Sequence, residues 1–433
     1  MLIITFVILL AFYLAFNLGA NDVANAMGTS VGSKAVTLKQ ALIIAGVFEF
    51  TGAVLFGHQV TETLATNIAN PALFTNSPQL LITGMISVLI SCGLWLQIAT
   101  AKGLPVSSSH AVVGAIAGFS WVALGVNAIA WSSIGTITIA WVLTPFISGI
   151  IAALFYSQIQ RWILQQPNQI QQLNEWIPWL SAALIGIFGV IVLPTLTRPI
   201  AELLVEMGIN IPARDISLLT GGFAVFGLTA YSWHEIEEGE KQDFIYSTDY
   251  YIKGGEGGET PPLQSPTEKL FARYQLLSAC FVAFAHGSND VGNAIAPLFV
   301  IIYTIQNNAV PVGGIETPLW ILAVGAAGIV TGLAILGKKV ITTIGENIIT
   351  LQPSSGFCAE LATATTILLA SRFGLPVSTS HALVGGVVGI GLVQDLKSIK
   401  FSTLRGIAAA WVVTVPVSAG LSAGIFKVLN MLF

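Results

Sequence analysis

Charge is what this chain has least of. Its 433 residues carry 17 Lys and Arg and 21 Asp and Glu, 9% in all, where a soluble domain carries about 25%. Too little polar surface remains to face water, which excludes an ordinary soluble globule. The net charge of −4 is small and excludes an electrostatic nucleic-acid partner. Cysteine is equally sparse. Cys92, Cys280 and Cys358 each sit alone in an apolar stretch, which excludes a disulfide framework or a cysteine metal cage. No segment alternates like a barrel strand. What is abundant is apolar sequence, 54% of residues, with a mean hydropathy of +0.81. Runs near 20 residues recur along the chain, long enough to cross a bilayer as helices. The expected fold is an all-α polytopic membrane protein of about 10–12 segments, with the lipid bilayer as its solvent.

Apolar segments fall near 2–18, 38–57, 80–101, 104–126, 133–156, 176–196, 215–231, 270–287, 293–306, 318–337, 355–371, 376–393 and 403–430. The first has no basic flank and no small-residue cleavage site, so it reads as a helix rather than a signal peptide. Residues 158–175 are Gln-rich and read as interfacial. Residues 232–269 hold nine acids, three lysines and GGEGGETPPLQSP, and read as a solvated acidic cytoplasmic loop.

The chain repeats itself. FNLGANDVANAMG (16–28) and FAHGSNDVGNAIA (284–296) agree at seven of thirteen positions, and GLPVSSSHAVVGAIAG (103–118) and GLPVSTSHALVGGVVG (374–389) at eleven of sixteen. Thr51-Gly52 and Gly57 recur as Thr331-Gly332 and Gly337; Ala140-Trp141-Val142 recurs as Ala410-Trp411-Val412. Repeat one covers residues 1–157 and repeat two 270–433, with connecting helices and the loop at 158–269 between them. Internal repeats in a membrane protein point to a transporter with its site where the repeats meet. Basic residues collect on the cytoplasmic side. If 80–126 and 355–393 are each a hairpin, twelve basic residues share one face: Lys34, Lys39, Arg161, Lys241, Lys253, Lys269, Arg273, Lys338, Lys339, Lys397, Lys400 and Arg405. Only Arg198, Arg214 and Lys427 fall opposite. This threading inverts the second repeat and puts both termini outside a plasma or inner membrane. The Gly103-Leu104-Pro105 and Gly374-Leu375-Pro376 turns break and restart a helix, so the hairpins read as re-entrant.

Four groups carry chemistry. Ser107-Ser108-Ser109-His110 and Ser378-Thr379-Ser380-His381 each open a restarted helix, where free N–H groups and the helix dipole favour an anion. The competing reading is plain capping and interhelical hydrogen bonding. His110 and His381 themselves read as packed core, anion donors or proton carriers. Asp22 and Asp290, with Asn21, Asn25, Asn289 and Asn293, offer carboxylate and amide oxygens at membrane depth, which suits a hard cation such as sodium. The expected site therefore pairs two Asn-Asp breaks in the helices with two hairpin turns. Glu49 and Glu360 are further acids in apolar runs, and they do not align between the repeats. A carboxylate touching the substrate would accept the proton of hydrogen phosphate and repel sulfate. If every acid serves cations, that discrimination is lost. A Ser–His–Asp hydrolase is disfavoured, because adjacent Ser109 and His110 do not place base against nucleophile, and duplication suits a passage better than one scissile bond.

GANDVANAMGTSVGSKAVTLKQA (19–41), HGSNDVGNAIAP (286–297) and the two GLPVS[ST]SH turns resemble the inorganic phosphate transporter (PiT) family over both repeats. The resemblance implies cation-coupled phosphate uptake by inverted repeats, often as a homodimer, with no enzyme activity and no cofactor beyond the co-transported cation. It maps functional acids onto Asp22, Asp290, Glu49 and Glu360, and substrate hydroxyls onto the Ser/Thr turns. Ser288 and Gly292 depart from the alanines usual there. The family includes sodium-coupled and proton-coupled members, and a few that look like sulfate permeases. The expectation is phosphate import with sodium by alternating access, with a proton-coupled phosphate or sulfate permease as the alternative.

Overall fold

A computed structural model describes residues 2–104, 106–252, 265–344 and 351–432. The described residues form α-helices joined by short turns: α1 Leu2–Gly32, α2 Leu38–Phe56, α3 His58–Thr66, α4 Pro78–Ala101, α5 Ser108–Leu124, α6 Trp131–Ile159, α7 Gln169–Glu206, α8 Ala213–Ile252, α9 Pro266–Asn307, α10 Leu319–Ile344, α11 Pro353–Arg372, α12 Thr379–Gln394 and α13 Phe401–Leu432. Eight of them contain a stretch long and apolar enough to cross a bilayer, and α5 and α12 are shorter apolar helices. Large apolar side chains such as Ile139, Phe146, Ile150, Leu154 and Val412 stand exposed on the outer helices. That suits a lipid surface and would be a liability in water.

The centre is made by α1 and α9. From Asn17 to Ser30 every residue of α1 is buried, and so is nearly all of α9 from Ser278 to Ile302. Small residues let the backbones touch, as helix packing in lipid requires. A Cβ on Gly19 would collide with the Ile329 carbonyl of α10, and one on Gly287 with the Glu49 carbonyl of α2. Reciprocally, Gly52 of α2 lies against the Phe284 carbonyl, and Gly332 of α10 against that of Phe16. Each repeat thus packs its first long helix on the second long helix of the other repeat.

Three expectations are corrected here. The Asn-Asp motifs break no helix: α1 runs unbroken through Asn21, Asp22 and Asn25, and α9 through Asn289, Asp290 and Asn293. No proline interrupts α1 at its motif, and in α9 Pro297 lacks the N–H that would reach the Asn293 carbonyl without ending the helix, so the polar side chains point out of continuous helix. The apolar segments at 270–287 and 293–306 accordingly belong to one helix. The acidic stretch is not loop from residue 232, because α8 continues to Ile252. From 232 to 252 it has one glycine and no proline but several glutamates, which propagate a helix well. The glycine-rich and proline-rich part of that stretch, 253–264, lies outside the described residues, as does Pro105.

The true interruptions are the two Gly-Leu-Pro turns, built alike. Gly103 and Gly374 have φ of +66° and +65°, left-handed values that glycine adopts without penalty. The Leu104 N–H reaches back to the Ala99 carbonyl and the Leu375 N–H to that of Ala370, each at 2.9 Å, closing α4 and α11. The next helices then start on a serine cap. The Ser107 Oγ accepts the His110 N–H, and the Ser378 Oγ the His381 N–H, both at 3.3 Å.

Candidate anion and cation site

The starts of α5 and α12 converge on the middle of α9. The Ser108 and Thr379 hydroxyls both donate to Asp290 Oδ2, each at 3.3 Å. Asn293 Nδ2 donates to the hydroxyls of Ser108 (3.3 Å) and Ser109 (3.1 Å). One carboxylate of the second repeat therefore gathers a hydroxyl from each hairpin. Asp22 of α1 completes the hub: a ligand-capable atom of Asp22, His286 and Asp290 all lie within 4.8 Å of one another. Two carboxylates this close in a dry site call for a compensating positive charge or a retained proton.

The oxygens left over are as informative as those engaged. Asp22 Oδ2, Asp290 Oδ1, Asn289 Oδ1 and Asn293 Oδ1 are buried and have no hydrogen-bond donor among the described residues. Buried acceptors are ordinarily satisfied. Carboxylate and amide oxygens without donors are the ligand types a hard cation takes. The remaining valences hold these side chains in place. Asn25 Nδ2 donates to Asp22 Oδ1 at 3.2 Å. Asn21 Nδ2 donates to Thr100 Oγ1 at 2.9 Å. The equivalent Asn289 Nδ2 donates to Ser371 Oγ at 3.0 Å and to the Leu375 carbonyl at 3.1 Å. Each asparagine so tethers its own repeat's hairpin tip to its central helix.

The two other acids have separate settings. Glu49 lies 3.0 Å from His286 Nδ1, and Asp290 lies 3.1 Å from His286 Nε2. These are ion-pair distances without the alignment of a hydrogen bond. The histidine is fully enclosed between two carboxylates. Glu360 instead accepts from four donors: Thr29 (2.7 Å), Ser30 (2.5 Å) and Gln275 (3.0 Å) on Oε1, and Ser278 (2.7 Å) on Oε2. It ties α11 to α1 and α9. The cap serines Ser107 and Ser378 bond their own helix starts, Ser109 donates to the Val377 carbonyl at 2.9 Å, and Ser380 pairs with Ser378 at 2.9 Å.

His110 and His381 lie beside this hub in a cluster of four rings. His110 packs on Trp141 with ring centroids 3.8 Å apart and planes tilted by 38°, His381 on Trp411 at 3.6 Å and 36°, and the two imidazoles meet edge-on at 4.7 Å.

Of the residues the sequence singles out, the structure joins Asp22, Asp290, Asn293, Ser108, Ser109 and Thr379, whereas Asn21 and Asn289 bond the ends of α4 and α11 and Ser107 and Ser378 cap their own helices. Sequence reasoning missed His286, and it missed the donors Thr29, Ser30, Gln275 and Ser278 around Glu360. The signal for His286 was present: it occupies the place of Leu18 in the other repeat, and a polar group replacing a leucine at membrane depth demands a partner.

A solved structure described as the sodium-dependent phosphate transporter is similar over 100% of both chains, with a TM-score of 0.83 and 34% identity. Among curated proteins, one of Haemophilus influenzae assigned as a phosphate permease is 35% identical over 94% of this chain and 92% of its own. The Arabidopsis thaliana inorganic phosphate transporter 2-1, chloroplastic, is 38% identical over 96% of this chain and 70% of its own. These relatives are transporters and permeases rather than enzymes. The model of the phosphate transporter family matches residues 18–422. With both Asn-Asp motifs, both Gly-Leu-Pro turns and the polar hub inside that match, this multi-pass membrane protein belongs to the phosphate transporter family.

Proposed function

We propose that the protein imports inorganic phosphate together with sodium by alternating access. The observation that carries this reading is the set of four donorless oxygens on Asp22, Asn289, Asp290 and Asn293 beside two helix starts rich in hydroxyls. Sodium, held by those oxygens together with Asn21 and Asn25, offsets the two carboxylates. The anion then takes the N–H groups and hydroxyls of Ser107–Ser109 and Ser378–Ser380. Without the cation, an oxyanion would face Asp22 and Asp290 directly, so binding of one ion favours the other. Glu49 and Glu360 support the site from its flanks.

The reciprocal packing of α1 on α10 and α9 on α2 is what a two-fold relation between the halves generates. Together with the twelve basic residues on one face, it supports inverted repeats at 1–157 and 270–433 joined by 158–269. Both termini are then outside a plasma or inner membrane, and the hairpins enter from opposite sides. Proton coupling has one specific observation in its favour, the enclosed His286 between Glu49 and Asp290.

The test is uptake of radiolabelled phosphate by purified protein in vesicles, with sodium and pH gradients imposed separately and sulfate as competitor. The reading expects accumulation driven by sodium at equal pH and little competition by sulfate. Accumulation driven by a pH gradient alone would move the coupling to protons, and strong sulfate competition would remove the selectivity.

A further inference from the structure

We propose that His110 and His381 are positioning residues: they clasp the two hairpins into one unit through Trp141 and Trp411 and do not ligate the anion. The proposal rests on reading the helix starts as the anion site.

The geometry crosses from one repeat to the other. His110 Nδ1 lies 3.3 Å from the Trp411 carbonyl, and His381 Nδ1 lies 3.2 Å from the Trp141 carbonyl. A carbonyl only accepts, so each Nδ1 carries the hydrogen and donates. In the neutral ring Nε2 is then a bare lone pair, the wrong polarity for an oxyanion oxygen. Both Nε2 atoms are buried, with no hydrogen-bond partner among the described residues. Each imidazole also presses one face on an indole of its own repeat. The imidazoles are thus committed on a face and an edge to holding structure.

Trp141 touches both hairpins. Its ring packs at a tilt on His110 of the first, its carbonyl takes His381 of the second, and its indole N–H donates to the Pro376 carbonyl at 2.8 Å, in the second hairpin's turn. His110 stands two residues after Ser108, and His381 two after Thr379, on the first turns of α5 and α12. Fixing those turns fixes the separation of the two hydroxyls that meet at Asp290 Oδ2. The clasp is therefore what lets hydroxyls from separate hairpins act on one ion, and a fraction of an ångström of slack would spoil it.

The test uses the two amides that mimic each ring nitrogen. Asparagine places its N–H₂ near Nδ1, and glutamine places it near Nε2. Phosphate uptake by His110→Asn, His110→Gln, His381→Asn and His381→Gln is measured in vesicles for KM and kcat separately. The clasp expects the asparagine variants to stay within about threefold of the unsubstituted KM, and the glutamine variants to raise it roughly three- to tenfold, the loss of one neutral hydrogen bond. Retention by glutamine with loss by asparagine would put Nε2 on the anion and overturn the proposal; so would no effect from any variant. If all four lose uptake, nitrogen-15 spectra of the histidine-labelled, unsubstituted protein in lipid decide. Two rings with Nδ1–H and Nε2 signals unmoved by phosphate support the clasp, and a phosphate-induced Nε2 shift overturns it. Failure of the unsubstituted protein to take up phosphate would instead strike the anion reading itself.

Discussion

Asp22→Asn tests the cation site with least disturbance to the fold. Asp22 Oδ1 accepts from Asn25 Nδ2 at 3.2 Å, while Oδ2 is buried without a donor. The substituted amide has the same volume, but Asn25 dictates its orientation. Its oxygen must take the Oδ1 position, since two N–H₂ groups cannot face each other. Its own N–H₂ then occupies the Oδ2 position, where a cation would need an oxygen. The substitution thus removes a charge and reverses the local dipole. A unit charge about 4 Å from a cation is worth about 4 kcal/mol at an effective dielectric of about 20. Relief of repulsion with nearby Asp290 returns part of that in the cation-free state. The net loss corresponds to a rise in half-saturating sodium of roughly 10²- to 10³-fold. The assay is the initial rate of radiolabelled phosphate uptake in vesicles against external sodium, at equal pH on both sides. Thermal unfolding of the same preparation should stay near that of the unsubstituted protein, because the Asn25 bond persists. A folded Asp22→Asn protein with half-saturating sodium within about threefold of the original would refute the reasoning.

Three further substitutions probe the frame around the site. Removing both caps in a Ser107→Ala, Ser378→Ala protein costs about 1 kcal/mol at each helix start and should raise the phosphate KM roughly five- to tenfold; an unchanged KM would take these hydroxyls out of binding. Gly287→Ala drives a Cβ to within 2.0 Å of the Glu49 carbonyl oxygen and should destabilise by about 3 kcal/mol or more, the upper end of overpacking costs, whereas Gly103→Ala, with nothing within 4 Å, should cost only the left-handed backbone penalty of about 1–2 kcal/mol; thermal unfolding ranks the two, and the reverse order would contradict the packing. Glu360→Gln keeps an oxygen for Thr29, Ser30 and Gln275 and can donate its N–H₂ to the Ser278 hydroxyl, whose own hydrogen turns to the Gln275 carbonyl; it loses the charge on bonds worth about 1.5–3 kcal/mol each to a carboxylate and about 0.5–1.5 kcal/mol to a neutral acceptor, so a fall in unfolding temperature is expected, and an unchanged one would mean the charged carboxylate does not tie α1, α9 and α11 together.

The site was legible in the sequence where it was duplicated. Asp22/Asp290, Asn21/Asn289, Asn25/Asn293 and the two hydroxyl turns repeat, so each copy vouches for the other; the structure draws Asp22 to Asp290 and Asp290 to Ser108 and Thr379, while Asn21 and Asn289 bond their own hairpin tips. What the repeats do not share was harder to see. His286 faces Glu49 across a contact whose counterparts in the other half are Leu18 and Ile329, both apolar. Glu360 finds its donors on α1 and α9, far away in sequence. Such partners are set by tertiary packing, which periodicity does not encode. The supposed helix breaks at Asn21-Asp22 and Asn289-Asp290 went wrong for a related reason. Asparagine and aspartate disfavour helix interiors where they can bond their own backbone, but here their side chains are engaged elsewhere. The helix break at the Gly-Leu-Pro turns and the hydroxyl cap after it are local requirements that the sequence states, but the proline does not open the new helix: Pro376 precedes the Ser378 cap of α12 by two residues.

The central claim is that cation and anion share one pocket, so each must change the other's affinity by the same factor. Equilibrium binding of phosphate to the purified protein across a sodium series, matched by sodium binding across a phosphate series, measures that coupling directly. The account predicts that sodium tightens phosphate binding, that phosphate tightens sodium binding equally, and that Asp22→Asn abolishes both effects. Phosphate affinity indifferent to sodium would contradict it.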